Sequence, residues 1–206
     1  VRPLPYTPGL SEWKIPRSHI VHDHASTGYP GLHSIVGGKL TTYRQLAEDS
    51  VDLAVKQLGR GAKKPVSKFS NFPGAQTDDF AAFAKKFKAN KAVSSDTSAR
   101  LLALYGTRAT DIVALIKKNA ALGERFDPKS AAVAAELIFA VEAEYAQTLA
   151  DVFSRRILLA FEPGHGLAGA KRAAEILGEH LGWDAKRRKA ELAGYEKWLD
   201  HLRVQA

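Results

Sequence analysis

From Thr77 to the C-terminal residue the apolar side chains recur three and four positions apart, punctuated by capping residues and glycines, which commits this stretch to helices. Thr77 is placed to cap a helix beginning Asp78-Asp79-Phe80, and Ser95 or Asp96 to open a second that ends near Tyr105-Gly106. A third should run from Thr110 to Asn119. Asp127-Pro128 marks a new start, and Ala131–Arg156 reads as a long alanine-rich helical stretch with room for one break. The short apolar segment Ile157-Leu158-Leu159-Ala160-Phe161 reads either as a helix tail or as a buried extended link. The last two helices should cover Ala168–Leu181 and Asp184 to near Val204, separated by Gly182-Trp183. Leu192, Tyr195, Trp198, Leu199 and Leu202 recur at helical spacing, so Trp198 reads as core packing rather than a ligand platform.

The first 60 residues follow another rule. Gly31-Leu32-His33-Ser34-Ile35-Val36 is a β-like run that turns on Gly37-Gly38 and leads through Lys39 into an amphipathic helix bearing Leu46, Val51 and Leu53-Ala54. Thr42 and Gln45 have the spacing of a capping box. Such a turn lets the backbone approach a ligand closely and aims free N–H groups at it, although a Gly-Gly turn by itself reads as structure. The neighbourhood favours an anion: Arg2, Arg17 and Lys39 fall within one short segment and can converge on a phosphate or carboxylate. Residues 59 to 77 are rich in Gly, Lys, Pro and Ser and contain Asn71-Phe72-Pro73-Gly74. The expected division is residues 1–60, a linker over 61–76, and an all-α domain over 77–206. The fold class is therefore mainly α, with a short α/β portion, one strand and its helix, in front.

Two stretches carry a family resemblance. Val1-Arg2-Pro3-Leu4, Pro16-Arg17-Ser18-His19 and Gly31-Leu32-His33-Ser34-Ile35-Val36-Gly37-Gly38-Lys39-Leu40-Thr41-Thr42-Tyr43-Arg44-Gln45-Leu46-Ala47-Glu48-Asp49, in that order, resemble FAD-dependent glycerol-3-phosphate dehydrogenases. Glu144-Tyr145-Ala146-Gln147-Thr148-Leu149-Ala150-Asp151-Val152-Phe153-Ser154-Arg155-Arg156 is similar to the E-x-A-x-T-L-x-D-V-L-x-R-R stretch in the helical C-terminal domain of that family.

The resemblance implies oxidation of sn-glycerol 3-phosphate to dihydroxyacetone phosphate, with electrons leaving through FAD to a quinone. It assigns Arg2, Arg17 and Lys39 to substrate binding, and Gly37, Gly38, Lys39, Leu40, Thr41 and Thr42 to the flavin-facing turn. Residues 1–60 are then the end of an FAD- and substrate-binding domain. The chain begins at Val1, contains no methionine and opens on no G-x-G-x-x-G fingerprint, so it is expected to be part of a longer polypeptide and inactive alone. No catalytic residue is expected within it, and the proton-abstracting base is expected upstream of Val1. His22 and His24 form an H-x-H whose spacing on a strand permits metal binding, but no third ligand is evident and a structural role is expected. Arg155 and Arg156 read as helix-end cations, with a scaffold role for them and Asp151.

Composition narrows the class. There is no cysteine, which excludes disulfides, thiolate zinc sites and iron–sulfur clusters, and no D-x-D-x-D-G calcium loop. The aerobic bacterial form is therefore the expected likeness, rather than the cysteine-bearing anaerobic form or the calcium-binding mitochondrial one. No apolar run approaches the length of a membrane span. The net charge is +8, and since residues 1–60 hold seven Lys/Arg against five Asp/Glu, most of it lies further along. Lys85-Lys86-Phe87-Lys88, Lys117-Lys118 and Lys186-Arg187-Arg188-Lys189 read first as solvated helix faces. They also suit anionic lipid headgroups, so a cytoplasmic protein, peripheral on the inner face of the plasma membrane, is the expected location. A homodimer is compatible with the sequence, and no specific nucleic-acid partner is expected. Two alternatives stay open: a glycerol-3-phosphate oxidase that uses oxygen, and a non-catalytic helical interaction module.

Overall fold

The computed structural model describes residues 8–15, 18–37, 39–61 and 63–202, and the chain divides between Asn71 and Phe72 into two units. That division falls within the 61–76 stretch.

In the first unit, β1 (Ile20–Asp23) and β2 (His33–Val36) form an antiparallel pair with the register Ile20↔Val36, Val21↔Ile35, His22↔Ser34 and Asp23↔His33. The sequence marked a strand before Gly37 and a strand-like segment at His22, and the structure pairs the two. The connection turns through Gly28 and Gly31, at φ 92° and 85°, a region open to glycine but costly for residues with a Cβ. After β2 the chain passes through Gly37 and a 3-10 turn, Leu40–Thr42, into α1 (Tyr43–Gln57). No residue of α1 is fully buried.

The second unit is helical, and the chain is mainly α as its periodicity indicates. α2 (Phe80–Ala89), α3 (Ser95–Tyr105), α4 (Ala109–Lys118) and α5 (Ala134–Glu142) enclose one core, with Leu101, Tyr105, Ile112 and Phe139 buried. α5 also faces a second core made with α6 (Leu149–Asp151), the π-helical turn Val152–Arg156, α7 (Leu167–Leu181) and α8 (Ala185–Leu199). Every side chain from Ala134 to Ala140 is buried, as expected of a helix that is apolar but for Glu136 and serves two cores. Phe153 and Tyr195 meet edge to face at 5.0 Å in the second core, each contributing about 1.5–3 kcal/mol by burial.

Several boundaries differ from the sequence reading. α2 is capped by Asp79, whose carboxylate accepts the Ala82 N–H at 2.9 Å, so Thr77 is not its cap. Ala131–Arg156 is broken between Glu142 and Leu149, where Tyr145 takes φ 58°. Ile157–Phe161 is neither helix tail nor extended link: Leu158 is left-handed at φ 60° and Leu159–Phe161 forms a 3-10 turn. α8 ends at Leu199, and Trp198 stacks on Tyr195 at 6.3 Å, in keeping with core packing.

Candidate functional site

The candidate site is the turn from β2 into α1. Gly37, at φ 77°, takes the left-handed conformation as β2 ends. Lys39 is extended, at φ −87° and ψ 149°, and its carbonyl accepts both the N–H of Thr42 at 3.0 Å and the Thr42 hydroxyl at 2.8 Å. These bonds replace the anticipated capping box, because the Thr42 hydroxyl is spent on Lys39 and the Gln45 amide donates instead to Asp49 at 2.8 Å. They also engage the Thr42 N–H. Among the described residues, nothing accepts from the N–H groups of Leu40 and Thr41, which stand at the helix start where backbone donors have no intrahelical partner. Leu40 is 88% exposed, so the turn is open. Lys39 pairs with no carboxylate among the described residues. The structure thus brings Gly37, Lys39, Leu40, Thr41 and Thr42 into one turn, while Arg2, Arg17 and Gly38 lie outside the described residues.

The hairpin register adds a second element. Because Ile20 pairs with Val36, the chain ahead of β1 and the turn after β2 emerge at the same end of the hairpin. At that end His19 Nε2 lies 2.6 Å from Asp49 Oδ2 on α1. The hydrogen bond with His19, then that from Gln45, holds the Asp49 carboxyl below the usual aspartate range. Further along the hairpin, His22 and His24 stack edge to face at 4.5 Å, and His24 Nε2 lies 2.8 Å from the Ser34 hydroxyl. Among the described residues no group of three His, Asp or Glu side chains is disposed to hold a metal ion.

The second sequence motif resolves into structural bonds. Thr148 and Asp151 cap one another: the Asp151 N–H donates to the Thr148 hydroxyl at 3.1 Å, and the Asp151 carboxylate accepts the Thr148 N–H at 3.0 Å. Burial alone would raise the Asp151 carboxyl, but Thr148, the Gln147 N–H and the Arg155 charge outweigh it and hold the group low. Arg155 pairs with Asp151, and Arg156 Nε donates to the Glu144 carbonyl at 2.8 Å. Both arginines therefore have partners within the helical unit. The Leu149 N–H donates to Glu191 of α8 at 2.8 Å, tying this turn to the C-terminal helix.

Two features escaped the sequence reading. A G-x-G-x-x-G pattern does occur, at Gly164, Gly166 and Gly169, running into the first turn of α7. It follows a 3-10 turn rather than a strand, and packing accounts for two of its glycines: a Cβ on Gly166 would lie 2.9 Å from the Phe153 ring, and one on Gly169 2.6 Å from Asp127 Cβ. The Gly169 N–H already donates to the buried Asp127 carboxylate at 3.2 Å, so an internal anion occupies the place a phosphate would take. The other feature is a buried polar cluster. Arg100 reaches Glu136, Glu162 at 2.6 Å and the Ile157 carbonyl at 2.5 Å, and the Tyr105 hydroxyl donates to Glu136 at 3.1 Å. Its only sequence signal is a lone glutamate inside an apolar helix.

With this architecture, residues 66–188 match the family model for the C-terminal domain of alpha-glycerophosphate oxidase, and the chain belongs to that family. Among curated proteins it is 35% identical over 201 residues to a glycerol-3-phosphate dehydrogenase of Synechocystis sp., a match covering 97% of this chain and 36% of the relative. The mitochondrial glycerol-3-phosphate dehydrogenase SDP6 of Arabidopsis thaliana is 33% identical over 219 residues, covering 97% of this chain and 34% of the relative. That of Bos taurus, also mitochondrial, is 31% identical over 207 residues, covering 97% and 27% respectively. The chain thus spans between 27% and 36% of the length of these relatives.

Proposed function

We propose that the chain is the C-terminal part of a flavoprotein that oxidises sn-glycerol 3-phosphate to dihydroxyacetone phosphate and delivers the electrons to a quinone. The observation that carries this reading is the likeness to glycerol-3-phosphate dehydrogenases across 97% of the chain, turn and helical unit together. The residues of the turn suit FAD. Gly37 is left-handed, Leu40 is exposed, and the N–H groups of Leu40 and Thr41, which have no acceptor among the described residues, carry the same sign of charge as the Lys39 ammonium. FAD held there would supply a two-electron acceptor for the C2 hydride while a base takes the hydroxyl proton. Lys39, with those two N–H groups, would stabilise the negative charge that gathers on the pyrimidine edge of the cofactor. Arg2 and Arg17 would clamp the phosphate dianion, to which guanidinium forks are matched.

The remaining assignments are proposals on the same footing. Lys85, Lys86 and Lys88 are exposed along α2, next to Phe80 at 47% exposure, and among the described residues no lysine pairs with a carboxylate. This surface suits anionic headgroups, supporting a peripheral position on the cytoplasmic face of a membrane close to the quinone pool. We keep a homodimer as part of the proposal and propose no specific nucleic-acid partner.

The test is the full-length protein assayed with glycerol 3-phosphate and a soluble quinone analogue, with hydrogen peroxide followed in parallel. Quinone reduction without peroxide supports the dehydrogenase. Stoichiometric peroxide would make the protein an oxidase, and no turnover by protein that holds FAD would overturn the proposal.

A further inference from the structure

We infer that Tyr145, Leu158 and Phe161 form a docking face of the helical unit, covered in the full-length protein by the portion of the polypeptide that precedes this chain. The inference rests on the function proposed above, in which this chain is the C-terminal part of a longer protein. It spans between 27% and 36% of the length of its relatives, so the greater part of such a protein lies elsewhere and is available as the cover.

Backbone strain singles out the face. Tyr145 at φ 58°, Leu158 at 60° and His165 at 54° are left-handed and flank the π-helical turn Val152–Arg156. That conformation is costly for a residue with a Cβ and persists only where surrounding bonds impose it. Here they do. Arg156 Nε donates to the Glu144 carbonyl at 2.8 Å, Arg100 donates to the Ile157 carbonyl at 2.5 Å and to Glu162 at 2.6 Å, and the Tyr195 hydroxyl donates to the His165 carbonyl at 2.5 Å. The first bond ties the residue before Tyr145 to the turn that leads into Leu158. The Phe161 N–H in turn donates to the Leu158 carbonyl at 3.1 Å.

What this rigid backbone presents is apolar. Tyr145 is 80% exposed, Leu158 40% and Phe161 60%, while Ile157, Leu159 and Ala160 beside them are wholly buried. The Tyr145 hydroxyl has no partner among the described residues, and the Phe161 ring is steadied by an edge contact with Trp198 at 6.4 Å. Aromatic anchors already fixed by their own backbone lose little entropy on being covered, and a Tyr with a spare hydroxyl suits the centre of a protein contact. An anionic membrane fits this face poorly, because Arg155 is paired with Asp151 and Arg156 is bonded to the Glu144 and Arg155 carbonyls.

The experiment is hydroxyl-radical footprinting of the full-length protein, monomeric and free of lipid, with each residue's labelling rate divided by its rate in the unfolded chain. Tyr145 and Phe161 should lose their labelling, reacting as slowly as the buried Phe153 and Tyr195, while Phe80, 47% exposed on α2, stays reactive. Labelling of Tyr145 and Phe161 at the level of Phe80 would overturn the inference. So would protection that appears only when the protein is concentrated into dimers or mixed with phosphatidylserine vesicles, since a second copy or lipid would then be the cover. A second measurement identifies the occupant: with Tyr145 replaced by photoreactive p-benzoylphenylalanine, irradiation should give cross-links within one molecule to residues ahead of Val1. Cross-links confined to this chain, or joining two molecules, would contradict it. A wild type that holds FAD but does not oxidise glycerol 3-phosphate overturns the proposed function and leaves the footprint and cross-links to decide the docking face.

Discussion

Arg100 directs its guanidinium onto Glu136, with Nε 3.3 and 3.2 Å from the two carboxylate oxygens, at the junction of the two helical cores. Glu136 is wholly buried, and burial pushes its carboxyl above the usual glutamate range against the pull of Arg100. It also accepts the Val133 N–H at 3.0 Å, so one side chain both caps α5 and joins α3 to it. Without Glu136, the Arg100 charge keeps only the partly exposed Glu162 and the Ile157 carbonyl, and the buried Tyr105 hydroxyl and Val133 N–H lose their acceptor. Glu136→Ala should therefore destabilise the helical unit by about 3–5 kcal/mol, measured by denaturant unfolding followed by circular dichroism. A loss below about 1 kcal/mol would show that Glu162, already 2.6 Å from Arg100, suffices as its counter-ion.

Gly74 and Gly106 cross backbone to backbone. Gly106 has φ 56°, and a Cβ there would sit 2.1 Å from the Gly74 carbonyl oxygen, which also accepts the Thr107 N–H at 2.8 Å. Gly106→Ala should cost on the order of 1–3 kcal/mol from the dihedral alone, with the collision added to it. Calorimetry should register a clear fall in melting temperature, and an unchanged value would mean that the 72–77 segment is not held against the end of α3.

The Ser94 hydroxyl, and after it the Arg125 guanidinium, hold the Asp96 carboxyl at about 2, below its ordinary 3.8. A depressed carboxyl stabilises the fold above pH 3.8 and loses that contribution as the pH falls toward about 2. Melting temperature plotted against pH should therefore drop more steeply in this window for the wild type than for Asp96→Asn. Parallel curves would show that the group titrates alike in folded and unfolded chains.

The Thr148 hydroxyl accepts the Asp151 N–H at the start of α6. Thr148→Ala should destabilise the second core by about 1 kcal/mol, as the loss of a helix cap does elsewhere. Thr148→Ser keeps the oxygen and should restore most of it, which equilibrium unfolding of the two variants can establish.

Helix positions were largely legible because local chemistry sets them: Asp184 before α8 and Gly182 after α7 stand where capping rules put them, whereas α3 follows Ser94 rather than the expected Ser95 or Asp96. One break in Ala131–Arg156 was anticipated but not its place, because alanine-rich composition favours continuation at every point along it. The bonds that shape the break come from afar: Glu191 on α8 takes the Leu149 N–H, and Arg156 takes the Glu144 carbonyl. The same holds for Arg100, whose partners lie 36 and 62 residues away. At the candidate site, Gly37 and Lys39 stood out by spacing and by family resemblance. The His19–Asp49 tie did not, since it depends on a register that no single residue announces.

In the proposed function the Lys39 turn faces the reacting flavin. The most direct measure of this is the anaerobic rate at which glycerol 3-phosphate bleaches FAD in the full-length protein, compared between wild type and Lys39→Ala. The proposed function predicts a rate about 10²- to 10³-fold lower in the variant, with FAD content unchanged. Reduction at the wild-type rate would contradict it.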